Sequence, residues 1–415
     1  MRRAIARENI EEISVQEYQA RRAKLMQQLP GDSIAILPAA AHAKRTHSSE
    51  YPYRQDSNFY YLTGLNEPNA VLLLLPATKE VILFNQAPSE KKLRWEGPVL
   101  GQADAPKKLG VDQSHAIAEA DKMLPNMAKG RTVYSTHAHL PWLETQKIKP
   151  LGPIIAEQRV IKSPAEIELM RKAAQISVAA HQRGMQQVKH CEYEYQLAAE
   201  YEYVFKHQGG NSLAYESIVG GGANACVLHY QANKDQLRPG ELVLVDAAAE
   251  YQNYAADITR SYPVSGKFSA QQKDIYEVVL QAQEDAIAQL RPGNTWPSIQ
   301  AQIVEQLVDG LLELGLIKGD KKDYIANKKY QDFYMHSAGH WLGLDVHDVG
   351  AYTQDEKPRA FEAGMALTIE PGIYLSEMGL GIRIEDDIVV TENGCDVLSK
   401  GLAKSIADVE FEMAK

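Results

Sequence analysis

The chain has 415 residues, 45% apolar and 24% charged, an ordinary soluble composition with room for two domains and a sizeable core. Its formal net charge of −10 is spread as mixed signs rather than as an acidic tail, which disfavours nucleic acid and anionic membrane as partners and selects no substrate. Cys191, Cys226 and Cys395 are scattered and build no disulfide framework, so a reducing, cytoplasmic setting is expected.

The opening MRRAIARENIEEI acquires Glu8, Glu11 and Glu12 before any apolar run, so a cleaved signal is not expected. A helical pattern over Val15 to Leu29 leads into strands at Ser33 to Leu37, Val71 to Leu75 and Val81 to Phe84. The longest apolar run, Ala70 to Ala77 (AVLLLLPA), is too short to span a bilayer and contains a proline, so it reads as a buried strand. These elements predict an amino-terminal α/β domain over residues 1–155. The pattern changes between Lys149 and Lys162. Ser163-Pro164-Ala165-Glu166 is a capping box with proline at the first helical position, and Ile167, Met170, Ala174 and Val178 follow on one face. A second domain over 156–415 is expected from there.

That second domain reads as one plan stated twice. A long helix from Ser163 and another ending at Gly209-Gly210 precede strands around Ser217, Val227 and Leu244. A helix capped by Ser269 with Gln272 in the box stops at Pro292-Gly293; a second, carrying Ile299, Ile303, Leu307 and Leu311, stops by Gly315, and strands follow again. Two helix–helix–strands halves imply pseudo-two-fold architecture with a site between them.

The residues for such a site are Asp246, Asp257, His340, Glu370 and Glu385, four of them in strand-like, largely apolar segments. In Glu241 to Ala249, Leu242, Leu244, Asp246 and Ala248 share a face; in Tyr254 to Tyr262, Ala255, Asp257 and Thr259 do. A hairpin turning about Tyr251-Gln252 sets Asp246 directly opposite Asp257, Cβ atoms about 5 Å apart, where like charges repel unless a cation lies between them. Two aspartates at such spacing more often have one side chain in solvent, but the apolar flanks here argue for burial. Downstream, Met335 to His347 interleaves His336, His340 and His347 with glycines. Glu370 closes the strand-like Met365 to Ile369 before Pro371-Gly372, and Glu385 lies in a strand-like Gly381 to Val390 where Arg383, Glu385 and Asp387 share a face. Either glutamate alone would read as a rim or salt-bridge residue. Together, four carboxylates and one imidazole suit two divalent ions held roughly 3.5–4 Å apart by bridging carboxylates. Oxygen-dominated ligation favours Mn(II), while Co(II), Fe(II) or Zn(II) fit the same ligands.

Several motifs resemble those of the pita-bread metallopeptidases, and specifically the aminopeptidase P (Xaa-Pro aminopeptidase) family. They are VLHY (Val227 to Tyr230), LVLVDAAAEYQNYAADITRSYPV (Leu242 to Val264), MHSAGHWLGLDVHDVG (Met335 to Gly350), TIEPGIY (Thr368 to Tyr374) and GIRIEDDIVVTENG (Gly381 to Gly394). EYPYRQDSNFYYLTGLNEPNAVLLL (Glu50 to Leu74) is similar to that family's smaller domain. The resemblance implies an α/β chain with a carboxyl-terminal pita-bread domain and a creatinase/prolidase-like amino-terminal domain that mediates association, as a dimer or tetramer, and narrows access to the cleft. It implies that Asp246 chelates one metal, that Asp257 and Glu385 bridge both, and that His340 and Glu370 complete the second. By the same resemblance His229 and His347 hold substrate and tetrahedral intermediate, His336 lines the pocket, and Arg383 and Tyr374 support the metal-bound aspartate. The interval from Pro371 to Gly381 is shorter than in the bacterial members, which bears on the cleft rim.

The implied reaction removes the first residue from peptides with proline second. Two cations sharing a water supply hydroxide near neutral pH, and Glu370 carries the proton to the leaving ring nitrogen. Trp95, Trp341 and Tyr230 either shape the substrate pocket or pack in the core. A prolidase, limited to dipeptides, is the nearest alternative. A catalytically silent peptide-binding module is a remote one, since such modules typically lose ligands and none is missing.

Overall fold

The computed structural model describes residues 12–143 and 147–415, and the chain divides into two compact units, Met1–Arg159 and Val160–Lys415. Most of the opening stretch on which the signal-peptide expectation rests, residues 1–11, lies outside the described residues.

In the first unit, Ser14 Oγ accepts the Glu17 N–H and starts the helix Val15–Gln27. A six-stranded mixed sheet follows, in the spatial order Gln113–Ala116, Glu80–Asn85, Val71–Leu75, Ser33–Pro38, Thr132–Ser135, Ile148–Pro150. Val71–Leu75 runs antiparallel to both neighbours, and the three outer strands join in parallel. Every residue of Val71–Leu75 is buried, because both sheet faces are covered; that is why the sequence there is an unbroken apolar run. Among the described residues no helix is long and apolar enough to cross a membrane.

The second unit repeats helix pair and sheet. Both capping boxes form, Ser163 with Glu166 and Ser269 with Gln272. The first half has helices Pro164–Gln187 and Glu194–His207 and a sheet of Ile218–Gly221, Leu242–Asp246 and Thr259–Pro263. The second has helices Ala270–Ala288 and Trp296–Glu313 and a sheet of Ala366–Ile369, Asp386–Thr391 and Gly394–Val397, plus the hairpin Gly372–Leu375/Leu380–Arg383. One continuous apolar core runs through both halves.

Three sequence expectations are corrected. No strand forms at Val227: the run Gly220-Gly221-Gly222, with φ +54° at Gly222, breaks into a 3-10 turn over Gly222–Cys226 and leaves Val227 54% exposed. Gly381 to Val390 is not one strand, because the chain changes partner at Ile384 and Glu385, between Leu380–Arg383 and Asp386–Thr391. Finally, Asp246 does not face Asp257; it pairs with Thr259. The hairpin turns at Gln252 and Asn253, both at positive φ (47° and 67°), one residue later than predicted, and that displaces every cross-strand partner by two. A two-residue displacement preserves the face, so Asp257 becomes the diagonal neighbour of Asp246 on the same side.

Between the two paired stretches the ladder thins to two bonds, Ala247 N–H to the Ile258 carbonyl (3.2 Å) and Ala256 N–H to the Ala249 carbonyl (3.1 Å), and a fully buried imidazole supplements them. His181 Nε2 lies 3.0 Å from the Ala247 carbonyl and 3.1 Å from that of Ile258. Burial, aided by the Arg260 charge, lowers its pKa to about 3, so the ring is neutral and its single N–H serves both carbonyls. The three cysteines are free. Trp341 is buried in an aromatic cluster with Trp296, Tyr352 and Phe361, whereas Trp95 is 81% exposed and belongs to no core.

Candidate metal centre

Each candidate ligand is fixed by backbone. Asp246 ends its strand. The Asp257 N–H donates to both carboxylate oxygens of Asp387, at 3.0 and 3.2 Å. The stretch bearing His340 lies against Ala366–Ile369: Thr368 N–H donates to the His340 carbonyl (3.0 Å) and Glu370 N–H to that of Ala338 (2.9 Å). Such closeness needs Gly339, since a Cβ there would stand 2.0 Å from the Thr368 oxygen. Glu385 sits at the strand break, its N–H reaching across to the Thr259 carbonyl (3.1 Å).

The side chains converge. Oxygens of Asp246, Asp257 and Glu385 lie within 4.8 Å of one another, as do ligand atoms of His340, Glu370 and Glu385, and those of Asp257, His340 and His347. His340 Nδ1 lies 2.9 Å from the Trp341 carbonyl and donates there, which leaves Nε2 facing Asp257 (3.2 Å) and Glu370 (3.6 Å). Arg383 donates to Asp246 at 2.6 Å and to the Tyr374 hydroxyl at 3.0 Å. Tyr374 in turn lies 2.8 Å from His336 Nε2, and His336 Nδ1 lies 2.9 Å from the Ser337 carbonyl. Donor matching therefore runs Arg383 to Tyr374 to His336 to Ser337.

The electrostatics follow from the crowding of buried acids. Burial pushes Asp246 up to about 6, against the pull of Arg383 and with the push of Asp257. Glu370 is pushed up to about 7 by burial, partly offset by His340, and Glu385 is raised well above its ordinary value by burial and then by the charges of Asp257 and Glu370. For His340 burial favours the neutral ring, yet the hydrogen bond and charge of Asp257, with Glu370, carry it to about 9. His336 is lowered to about 3 by burial and the Arg383 charge, and His347 is lowered by burial and by His340. Without a cation, then, protons must hold the acids together, with the His340 imidazolium standing in for one positive charge. A donor set of buried oxygens and one oriented imidazole fits hard-to-borderline divalent ions.

Asp246, Asp257, His340, Glu370, Glu385, His229, His336, His347 and Arg383 line one cavity of about 520 Å³, a typical small-ligand volume; Tyr374, the tenth residue given a site role from sequence, is not in the lining and meets it through Arg383 and His336. His347 packs edge-on to His340, ring centroids 4.2 Å apart. Trp95, Trp341 and Tyr230 are not in the lining, while Leu228, Ser337, Gly339 and Tyr352 are. Sequence reasoning missed Tyr215, whose hydroxyl donates to Asp246 at 2.5 Å, and the part of Asp387 in holding Asp257. Asp387 carried a signal, since it shares a face with Arg383 and Glu385. Tyr215 lies outside any periodic segment and carried none.

Comparison with known proteins bears on the family and the fold. Residues 168–392 match the model of metallopeptidase family M24, and residues 18–134 match that of the aminopeptidase P N-terminal domain. The chain is similar to the Xaa-Pro aminopeptidase of Escherichia coli (strain K12), 40% identical over 97% of this chain and 98% of that one. It is similar in structure to aminopeptidase P from E. coli with the inhibitor Pro-Leu, with TM-score 0.93 and 39% identity, covering 97% of this chain and 99% of the other. The zinc-substituted E. coli enzyme in complex with product gives TM-score 0.92 at the same identity and coverage. Carrying the family's match over more than half its length, together with the buried carboxylate–imidazole cavity, the chain belongs to metallopeptidase family M24, with the pita-bread catalytic domain and the smaller amino-terminal domain of the aminopeptidase P branch.

Proposed function

We propose that this chain is a dinuclear-metal aminopeptidase that releases the first residue from peptides with proline in second position. The observation that carries the reading is the convergence of Asp246, Asp257, Glu385, His340 and Glu370 at one cavity, with His340 Nε2 turned toward Asp257 and Glu370. Asp246, Asp257 and Glu385 would hold one ion and Asp257, Glu385, His340 and Glu370 the other, with Mn(II) favoured by the oxygen-rich set. When bound, the ions supply a water of lowered pKa and a Lewis-acid contact for the scissile carbonyl.

The chain's own groups do the rest. Glu370 takes a proton from the attacking water and delivers it to the leaving nitrogen; that nitrogen is a proline ring atom without N–H, so the bond breaks only once it is protonated. His229 and His347, exposed at the cavity, hold the substrate and donate to the developing oxyanion. Arg383 and Tyr215 grip opposite oxygens of Asp246 and hold it in one orientation. The neutral His336, tied to Tyr374, lines the pocket without adding charge. The amino-terminal domain serves association, so that the working form is a dimer or tetramer in the cytoplasm.

The test is to strip the protein with chelator, verify metal content, and assay tripeptides Xaa-Pro-Xaa before and after adding Mn(II). Activity is expected to vanish and return. Full activity in metal-free protein refutes the scheme. Cleavage of a Gly-Pro dipeptide with no cleavage of the tripeptide would assign a prolidase instead.

A further inference from the structure

We propose that Glu194, with Tyr230, is a positioning residue that sets His229 in the substrate cavity. The inference rests on the reading of His229 as a substrate-holding side chain. Unlike His336 and His340, and like His347, His229 has an exposed ring that makes no hydrogen bond among the described residues, so its placement depends on the backbone that carries it. That backbone belongs to no strand. The 3-10 turn Gly222–Cys226 passes into a second turn, in which Tyr230 N–H donates to the Val227 carbonyl at 3.1 Å.

What fixes these turns is one carboxylate. Glu194, in the first turn of the helix Glu194–His207, is 0% exposed and takes four donors. Gly221 N–H (2.9 Å) and Asn224 Nδ2 (2.9 Å) reach Oε1, while Tyr230 O–H (2.8 Å) and Asp235 N–H (2.9 Å) reach Oε2. One oxygen thus holds the start of the segment and the other its end, with Leu228 and His229 between them at the cavity wall. Tyr230 is the nearest grip to His229, one residue away. Hydrogen bonds to a carboxylate are about twice as strong as neutral ones, and an amide here would set its own N–H against one of the four donors. The arrangement explains why a buried acid stands at a place that touches neither the candidate ligands nor the cavity.

The test is a double-mutant cycle on Mn(II)-loaded protein with an Xaa-Pro-Xaa tripeptide. His229→Ala is expected to lower kcat/KM about 100-fold, as loss of an oxyanion donor does. Tyr230→Phe should lower it about 10-fold, through misplacement rather than loss of a contacting group, and Glu194→Gln at least as much. Metal content should match the wild type in all three. In the His229→Ala background neither Tyr230→Phe nor Glu194→Gln should cost anything further, because nothing is left to position. In protein loaded with diamagnetic Zn(II), the His229 ring resonances should shift in Tyr230→Phe, while those of His115, in the first unit, stay in place. If Glu194→Gln fails to fold, Tyr230→Phe decides alone. Unchanged kcat/KM in Tyr230→Phe overturns the inference, as do equal losses with and without His229, or loss of metal. Full activity in His229→Ala refutes instead the role given to His229, and the inference falls with it.

Discussion

Removing divalent cations should make the catalytic unit unstable toward alkaline pH. In metal-free protein the His340 imidazolium does part of the cation's work, and its pKa is carried from the ordinary 6.5 to about 9 despite burial, by Asp257 and Glu370. A raised folded-state pKa contributes stability that is whole below 6.5 and lost as pH rises through about 9. At 1.36 kcal/mol per pKa unit the full contribution is about 3 kcal/mol, of which about 2 kcal/mol disappears between pH 7 and 9. Glu370, at about 7, and Glu385, also raised well above its ordinary value by burial, act in the same direction: their protonated forms favour the fold, and that advantage is lost as pH rises. His181 and His336, lowered to about 3, and His347, also lowered, oppose this only below about 6.5, where the unfolded chain takes up their protons. Above pH 7 they are largely neutral in both states. For a domain of this size the net loss corresponds to a fall in Tm of about 4–8 °C between pH 7 and 9. Thermal unfolding of chelated protein at pH 7, 8 and 9, repeated with stoichiometric Mn(II), reads the effect directly. The metal-loaded series should be nearly flat. A metal-free Tm that stays level or rises over this range would refute the electrostatic reasoning.

Other substitutions separate the parts of the site. Asp257→Asn should remove most bound metal while leaving far-UV circular dichroism unchanged; wild-type metal content would contradict its bridging role. Tyr215→Phe deletes the 2.5 Å bond to Asp246 and should weaken metal binding about 10-fold, measured by competition with a fluorescent chelator. Gly339→Ala places a methyl 2.0 Å from the Thr368 carbonyl, so the stretch bearing His340 must move off its neighbour. A stability loss of about 2 kcal/mol or more in denaturant unfolding, together with metal loss, is expected.

The site was more legible in the sequence than the fold that builds it. Period-two patterning put Asp246 with Leu242 and Leu244, and Asp257 with Thr259, on common faces, and this survives in the structure although the predicted pairing does not. The turn lay one residue away, at Gln252 and Asn253, because positive φ at two consecutive positions suits the tight hairpin, and hydrophobic alternation carries no information about it. Glu385 looked like a mid-strand residue; its place at a strand break follows from a change of partner that only tertiary structure reveals. Tyr215 and Glu194 reach their partners from 31 and 36 residues away, respectively Asp246 and Tyr230, so no local pattern announces them. Capping boxes at Ser163 and Ser269 were readable because their chemistry is confined to four residues.

The measurement that bears most directly on the central claim is anomalous diffraction from crystals soaked in Mn(II). Two peaks roughly 3.5–4 Å apart are expected, enclosed by Asp246, Asp257, His340, Glu370 and Glu385, with Asp257 and Glu385 touching both. A single peak, or ions bound away from these five side chains, would contradict it.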